Sequence, residues 1–205
     1  MIAAVVLAAG RSQRMGTPKI NLPWPPPADG ISPPEAGCRT VLGQVVDTLV
    51  EAGLDEILIV TGPVPPLEQP HWSSLPVRLI QNPRFAEGEM LSSLQIGLEA
   101  LPVSTESALV VLGDQPQIQI QVVHTLLQAF EDAPQAIIVP SYRMRRGHPW
   151  LLPRRYWAEV LRLVSPLTLR DFLHAHAGDI VHLPVDTPTI LQDLDTPADY
   201  HRKNE

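Results

Sequence analysis

Short apolar runs recur along the chain and predict buried β-strands. Residues 2–7 (IAAVVL) contain no polar side chain and end at a turn of small residues, as expected of a strand covered on both faces of a sheet. Residues 56–61 (EILIVT) and 108–112 (ALVVL) are also mostly apolar and are predicted strands. Shorter runs predict further strands at residues 77–80, 136–140, 150–152 and 180–183.

Between these runs, apolar residues recur at the spacing of amphipathic helices. The clearest such segment follows Thr40, a residue type that caps helix N-termini, and ends at Gly53. Further helices are predicted at residues 90–101, 118–130, 154–163 and 167–175, with a short one after Thr196. This alternation predicts an α/β fold of three layers, with a mostly parallel sheet between helices. Ligands of such folds bind beyond the carboxyl ends of the strands.

Residues 23–37 interrupt the alternation with six prolines. Proline lacks the amide hydrogen that helices and sheets use, so this segment is expected to be a loop or lid. An alternative is that its PWPPP sequence docks a partner domain. No internal repeat or second core is evident, and we predict a single domain over residues 1–205.

Composition narrows the class of protein. With 205 residues, 44% of them hydrophobic and 18% charged, the chain can bury one core and is too apolar for disorder. The apolar run at residues 1–9 is too short to cross a bilayer, and Arg11 and Arg14 follow it, whereas a signal peptide places its basic residues first. Cys38 is the single cysteine and cannot form an internal disulfide. A cytoplasmic protein without membrane attachment is expected.

The charge is unevenly distributed. The net charge of -7 argues against nucleic-acid binding, which needs a surplus of Lys and Arg. Two windows nevertheless lack any Asp or Glu: residues 1–28, with charge +3, and residues 133–158, with charge +5. Such windows either receive anionic ligands or are ordinary solvated arginine surfaces. Lys19 is one of only two lysines, which marks it as a candidate functional residue.

The turn after the first predicted strand, LAAGRSQRMGTPK, is the first candidate site. Its small residues allow close approach of backbone to a ligand, and its exposed N–H groups can cradle phosphate beside Arg14 and Lys19. The spacing matches neither a Walker A loop nor the GxGxxG fingerprint. The structural alternative is an ordinary strand-to-helix turn that carries surface arginines.

Two acidic motifs are candidate metal sites. Asp114, in GDQP, directly follows a buried strand, where one carboxylate together with substrate phosphates can hold Mg²⁺. The same four residues are also common turn chemistry. Asp193 and Asp195 project to one face if their segment is extended, as paired ligands would. Thr196 followed by Pro197 reads as the start of a helix.

The second basic window contains RGHP, in which His148 follows Gly147. A histidine beside arginines can meet an anionic group, although a lone histidine is commonly structural. Neither Cys38 nor the pair His174 and His176 has partners at metal-ligand or nucleophile spacing, and covalent catalysis is not expected.

These motifs together resemble a known family, the MobA-like nucleotidyltransferases. LAAGRSQRMGTPK resembles the signature LxAGxSxRMGxxK, and Asn82-Pro83, the EGEM segment, GDQP, RGHP and DLDTPADY follow in that family's order. The later motifs resemble most narrowly the molybdenum cofactor cytidylyltransferases. The resemblance extends from Val5 to Tyr200 and implies a Rossmann-like nucleotidyltransferase fold. The family usually has a compact turn where residues 23–37 form a proline-rich expansion.

The resemblance also implies roles for individual residues. Arg14, Lys19 and Asp114 would be catalytic, with Arg14 and Lys19 on the triphosphate. Mg²⁺ would be bound by Asp114, helped by Asp195 or Asp193. The remaining implied contacts to nucleotide or acceptor are Leu7, Ala8, Ala9, Gly10, Arg11, Gly16, Asn82, Gly88, Ser92, Ser93, Gly147 and His148.

The implied reaction is transfer of CMP or GMP from a nucleoside triphosphate to the terminal phosphate of molybdopterin cofactor, releasing pyrophosphate. The small-residue turn favours CTP, with GTP as the alternative, and an apo-molybdoenzyme or its chaperone is a further candidate partner. Two other hypotheses remain. The acceptor is a sugar or alcohol phosphate, or the protein carries molybdopterin nucleotide without catalysis.

Overall fold

An eight-stranded sheet forms the centre of the computed structural model, which describes residues 1–10, 12, 15–27, 38–67, 69–85 and 90–201. Each predicted strand is present, with bounds that differ by one or two residues. The strands are β1 Ile2–Ala8, β2 Ile57–Thr61, β3 Val77–Gln81, β4 Ser107–Leu112, β5 Ile137–Tyr142, β6 Arg145–Arg146, β7 Trp150–Pro153 and β8 Ile180–Pro184.

The sheet is mostly parallel. Its strand order is β3-β2-β1-β4-β7-β5-β6, and β8 pairs with β5 in parallel. Strands β1 to β4 run parallel to one another where they pair, whereas β7 is antiparallel to both β4 and β5. The carboxyl ends of β1 and β4 are therefore neighbours, because Leu7 lies opposite Leu112.

Helices cover both faces of this sheet. Along β1, Ala4 and Val6 pack into one apolar cluster with α1 and α3, while Ala3 and Val5 pack into the other with α2, α4 and α5. This alternation explains the uninterrupted apolar run, since neither face of the strand meets water. The helices are α1 Val41–Glu51, α2 Met90–Ala100, α3 Ile120–Asp132, α4 Trp157–Val160, α5 Leu169–Ala175 and α6 Pro197–His201. The predicted three-layer α/β architecture is confirmed.

The ends of α1 and the packing of α2 on the sheet each depend on single residues. The Thr40 hydroxyl accepts a hydrogen bond from the Gly43 amide at 3.0 Å, as an N-cap does, and the chain leaves α1 through Gly53 at φ 81°. Helix α2 packs directly on β1, because a Cβ on Gly97 would lie 2.4 Å from Cγ1 of Val5.

Local structure differs from the predictions most clearly at three places. The helix predicted at residues 154–163 is shorter, a 3-10 turn at Arg154–Tyr156 followed by α4. A 3-10 helix, Pro70–Ser74, lies between β2 and β3, where no helix was predicted. The β5–β6 hairpin was not predicted, because its turn places Arg143 and Met144 at positive φ without the glycine or asparagine that normally signals such a turn.

The C-terminal segment returns to the loop that follows β1. Leu194 and Tyr200 pack against Val41 and the partly buried Trp24, and the Tyr200 hydroxyl donates to the carbonyl of Pro23 at 2.7 Å. The start of the proline-rich segment is therefore anchored. Residues 28–37, to which most of the lid prediction applies, lie outside the described residues. None of the helices in the described part of the chain has both the length and the apolarity needed to cross a bilayer.

Candidate active site

The loop after β1 turns back and brings Lys19 to the carboxyl edge of the sheet. Ser12 has φ 49° and Gly16 has φ 70°, both in the left-handed region. The Ser12 carbonyl accepts a hydrogen bond from the Met15 amide at 3.0 Å, and its hydroxyl accepts one from the Lys19 amide at 3.1 Å. The lysine backbone is thus held by a short-range turn. Arg11 and Arg14 lie outside the described residues.

The small residues at the end of β1 pack against the turn that follows β4. Gly113 donates its amide hydrogen to the carbonyl of Leu7 at 3.0 Å, and a Cβ on Gly113 would lie 3.1 Å from that of Ala8. Leu7 and Ala8 are buried, Ala9 is partly exposed and Gly10 is exposed. Of these four predicted contact residues, Ala9 and Gly10 are the ones whose surface a ligand can reach.

Lys19 joins three distant parts of the chain. Its ammonium Nζ forms an ion pair with Oδ2 of Asp114, which follows β4, and lies 3.2 Å from Oδ1 of Asp195, near the C-terminus. The side chains of Lys19 and Asp114 are only 13% and 18% exposed, whereas that of Asp195 is 48% exposed. The structure therefore brings together one ammonium and two carboxylates, as the sequence hypothesis required.

Burial and charge act on Lys19 in opposite directions. Burial alone lowers the pKa of Lys19, but its ion pairs and hydrogen bonds with Asp114 and Asp195 outweigh burial and raise the pKa above its ordinary value. The side chain therefore remains a cation at neutral pH.

The same carboxylates are suited to a divalent cation. In the part of the chain that the structure describes, no group of three or more His, Cys, Asp or Glu side chains is arranged to hold a metal ion. Mg²⁺ is commonly bound by one or two carboxylates together with substrate phosphates, rather than by a complete protein cage. Asp114 and Asp195 share one cation already and fit this type of site.

Asp193 has a different partner from Asp195. Its Oδ1 accepts a hydrogen bond from Nε2 of Gln115 at 2.6 Å, and Gln115 is almost fully buried. Burial raises the pKa of Asp193; the hydrogen bond from Gln115 opposes this, and the nearby charges of Asp114 and Asp195 add to it. The two aspartates, expected as paired ligands, thus meet different groups.

Asn82 lies at the end of β3 and ties this strand to the start of α2. It is fully buried, and its Nδ2 donates to the hydroxyls of Ser92 at 3.1 Å and Ser93 at 3.0 Å. Its Oδ1 accepts from the Arg84 amide at 2.8 Å. These three predicted contact residues form a buried network that shapes the loop between them. Gly88, in that loop, lies outside the described residues.

Gly147 and His148 pack against the C-terminal segment. A Cβ on Gly147 would lie 2.2 Å from the carbonyl oxygen of Ile190, and the same oxygen accepts a hydrogen bond from the His148 amide at 2.9 Å. Burial lowers the pKa of His148 to about 4, despite a backbone hydrogen bond with Val110 and the charge of Asp114, which both raise it. The imidazole is therefore neutral at neutral pH. It can donate or accept a hydrogen bond but supplies no positive charge to an anion.

The second basic window divides between two edges of the sheet. Arg145 and Arg146 lie in the exposed β5–β6 hairpin, at the carboxyl end of β5. Arg154 lies at the opposite edge, where it donates to the carbonyls of Pro102 and Thr105 and packs over the ring of Trp157. The arginines of this window therefore do not form one surface, and those of the hairpin are the ones at the carboxyl end of β5. A cavity of about 670 Å³ also lies at that opposite edge and includes none of the site residues above.

Comparison with known proteins decides the family. Residues 4–181 match the MobA-like NTP transferase domain. The chain belongs to this family. It is also 26% identical over 203 residues to the molybdenum cofactor cytidylyltransferase of Escherichia coli K12, covering 97% of this chain and 93% of that protein. The family match ends before the segment that carries Asp193 and Asp195.

Solved structures agree with the fold of this MobA-like transferase. Rv0371c from Mycobacterium tuberculosis H37Rv is 26% identical with a TM-score of 0.73, covering 98% of this chain and 96% of its own. A complex of Rv0371c with manganese has a TM-score of 0.68 at 26% identity, covering 97% and 95%. A nucleotidyl transferase from Methanothermobacter is 21% identical with a TM-score of 0.71, covering 98% and 94%. The predicted nucleotidyltransferase fold is confirmed.

Sequence analysis of this MobA-like transferase missed three groups that shape the site. The Ser12 hydroxyl holds the backbone of Lys19, the Gln115 side chain holds Asp193, and the Ile190 carbonyl receives the His148 amide. Ser12 and Gln115 belong to motifs singled out in the sequence, but their partners are remote or depend on loop geometry. The Ile190 carbonyl has no sequence signal, since every residue carries one.

Proposed function

We propose that this MobA-like transferase moves CMP, in preference to GMP, from a nucleoside triphosphate to the terminal phosphate of molybdopterin cofactor. An acceptor phosphate oxygen forms a bond to the α-phosphorus, the bond from that phosphorus to the bridging oxygen breaks, and pyrophosphate leaves. The similarity to the E. coli cytidylyltransferase supports this choice of substrates. The cytoplasmic location expected from the sequence stays a prediction.

The observation that carries the proposal is the convergence of Lys19, Asp114 and Asp195 at the carboxyl edge of the sheet. Phosphoryl transfer needs little covalent chemistry from a protein and depends on positioning and neutralisation of charge. Lys19, which remains an ammonium, would bind the polyphosphate and stabilise the charge that develops on the leaving pyrophosphate. The backbone of the partly exposed Ala9 and the exposed Gly10 would approach the same phosphates.

Asp114 and Asp195 would hold Mg²⁺, the metal we propose. When bound, Mg²⁺ would neutralise phosphate charge and orient the phosphate oxygens. A bound Mg²⁺ would account for the presence of two acidic side chains at a site that is proposed to bind an anionic substrate. Without a divalent cation, these carboxylates would repel the triphosphate.

His148 would contribute by hydrogen bonding rather than by charge. Its ring is neutral at neutral pH, and Nδ1 is buried with no hydrogen-bond partner among the described residues. A buried polar atom without a partner is costly, and a ligand that supplies one removes the cost. The RGHP loop would therefore present this ring to a polar group of the acceptor.

The direct test incubates the purified protein with molybdopterin cofactor, Mg²⁺ and either CTP or GTP. We expect a dinucleotide product identified by mass, with one pyrophosphate released per product and faster turnover with CTP. Asp114→Asn serves as the matched inactive variant, because it changes one charge and little volume.

Alternative acceptors are tested in the same assay with a sugar phosphate and an alcohol phosphate. Pyrophosphate release that depends on one of these, and not on molybdopterin, would move the protein to another substrate class. Tight binding of molybdopterin nucleotide without pyrophosphate release under any pairing would identify a carrier.

A further inference from the structure

We propose that Gln115 and Asp193 form a positioning pair that seats residues 190–195, here called the strap, and so determines where Asp195 lies relative to Lys19. Asp193 acts through this hydrogen bond rather than as a metal ligand. The inference rests on the proposed function in one respect: it assumes that Asp195 is part of the site that binds the metal and the polyphosphate.

The strap is anchored along its length by the two motifs that it crosses. The Ile190 carbonyl accepts the His148 amide at 2.9 Å, and the Leu194 amide donates to the carbonyl of Asp114 at 3.2 Å. Nε2 of Gln117 donates to the carbonyl of Gln192. These three contacts to the backbone of the strap place it between RGHP and GDQP. They do not by themselves determine where the side chains of the strap point.

Side-chain contacts decide the orientation of the strap. Leu194 is 3% exposed and packs with Val41 and Tyr200, while the aspartate on either side of it reaches a polar partner. Asp193 meets Gln115 at 2.6 Å, and Asp195 meets Lys19 at 3.2 Å. Loss of the Gln115 contact would free the strap one residue before Leu194 and two residues before Asp195.

The chemistry of the pair suits a positioning role. Gln115 is 2% exposed, so its amide hydrogens need a partner within the protein, and Asp193 Oδ1 supplies it. A hydrogen bond to a carboxylate is stronger than one between neutral groups. Because glutamine is uncharged, it holds Asp193 without adding a cation that would compete with Lys19 or a metal ion.

An exchange of the two side-chain types separates positioning from metal binding. Gln115→Glu sets two carboxylates against each other and should displace the strap. Adding Asp193→Asn restores a hydrogen bond with donor and acceptor exchanged, and the double variant has the same total charge as the wild type. If Asp193 bound the metal directly, the double variant would have lost the charge of that ligand and metal binding would stay weak.

The test measures Mn²⁺ binding by electron paramagnetic resonance, with CTP present, for the wild type, each single variant and the double variant. We expect Gln115→Glu to weaken Mn²⁺ binding roughly tenfold or more, and the double variant to recover to within about threefold of the wild type. Gln135→Glu, which adds the same charge at an exposed position, should bind as the wild type does. Thermal unfolding verifies that each variant is folded, and Gln115→Met replaces Gln115→Glu if the latter does not fold.

The outcomes distinguish this inference from the proposed function. Failure of the double variant to regain Mn²⁺ binding, although folded, would overturn the positioning role, and so would absence of Mn²⁺ binding by the wild-type protein. Rescue of Mn²⁺ binding in a protein that transfers no nucleotide would leave the positioning pair in place and reject the proposed reaction.

Discussion

Replacing Lys19 by methionine should change catalysis and metal binding in opposite directions. Methionine retains an unbranched apolar side chain of similar length and removes only the ammonium. Because that ammonium contacts both Asp114 and Asp195, the substitution leaves two carboxylates without their shared cation. Lys19→Met therefore tests whether this group acts on the polyphosphate.

For catalysis, the loss of one group that stabilises transition-state charge costs about 2.7 to 4 kcal/mol, or roughly a hundredfold to a thousandfold in turnover. For metal binding, two unit charges at about 4 Å repel by about 1 kcal/mol in water, and a divalent ion doubles this to about 2 kcal/mol. The repulsion is stronger where side chains are largely buried, as Lys19 and Asp114 are, so removing the ammonium should tighten Mn²⁺ binding to the nucleotide-free protein by roughly thirtyfold or more.

The assay pairs pyrophosphate release with Mn²⁺ titration of the nucleotide-free protein. The matched control is Arg170→Met, which removes an exposed cation from α5, away from the site, and should change neither quantity. Turnover of Lys19→Met within about tenfold of the wild type would refute the catalytic assignment. Weaker Mn²⁺ binding in that variant would refute the argument that lysine and metal compete for the same carboxylates.

Two further predictions concern stability. Gly147→Ala should lower the free energy of unfolding in urea by about 1 to 3 kcal/mol, because its Cβ would lie 2.2 Å from the Ile190 carbonyl oxygen. The control Gly178→Ala, whose Cβ would meet nothing within 4 Å, should change the free energy of unfolding by less than about 0.5 kcal/mol. Equal effects of the two substitutions would contradict the packing argument. A side-chain hydrogen bond with Glu159 raises the pKa of His176 above its ordinary value. The protonated ring therefore stabilises the fold at pH values below the unfolded-state pKa of about 6.5. This stabilisation is lost as the pH rises through the folded-state pKa. His176→Gln should therefore lower Tm more at about pH 6 than at about pH 9, and a pH-independent difference would contradict this.

Most of the secondary structure was predictable because its signals are local. The run at residues 2–7 indicated a strand buried on both faces, and Thr40 with Gly53 marked both ends of α1. The β5–β6 hairpin was missed because its turn uses residues that seldom adopt positive φ. The helix predicted at residues 154–163 was too long, since apolar spacing shows a buried face but not where the packing surface ends.

The site was predictable in its residue types but not in its pairing. Lys19 stood out as a rare lysine in an acid-free window, and Asp114 as an acid that directly follows a buried strand. The sequence pattern predicted the same role for Asp193 and Asp195. In the structure, Asp193 accepts a hydrogen bond from Gln115, whereas Asp195 forms an ion pair with Lys19. The two aspartates are two residues apart, so in an extended segment their side chains point to the same side. Only the groups that surround them in the folded protein distinguish their roles.

Sequence alone determined that this chain forms a layered α/β fold and that its chemistry-bearing side chains follow strands, because periodicity and turn residues act over a few positions. Tertiary structure decided which of those side chains meet. Lys19 and Asp195 are separated by 176 positions, and their contact depends on the sheet order and on the strap that crosses GDQP and RGHP. Burial then decided their electrostatics, since the pKa of a side chain depends on solvent and charges that only the folded chain brings together.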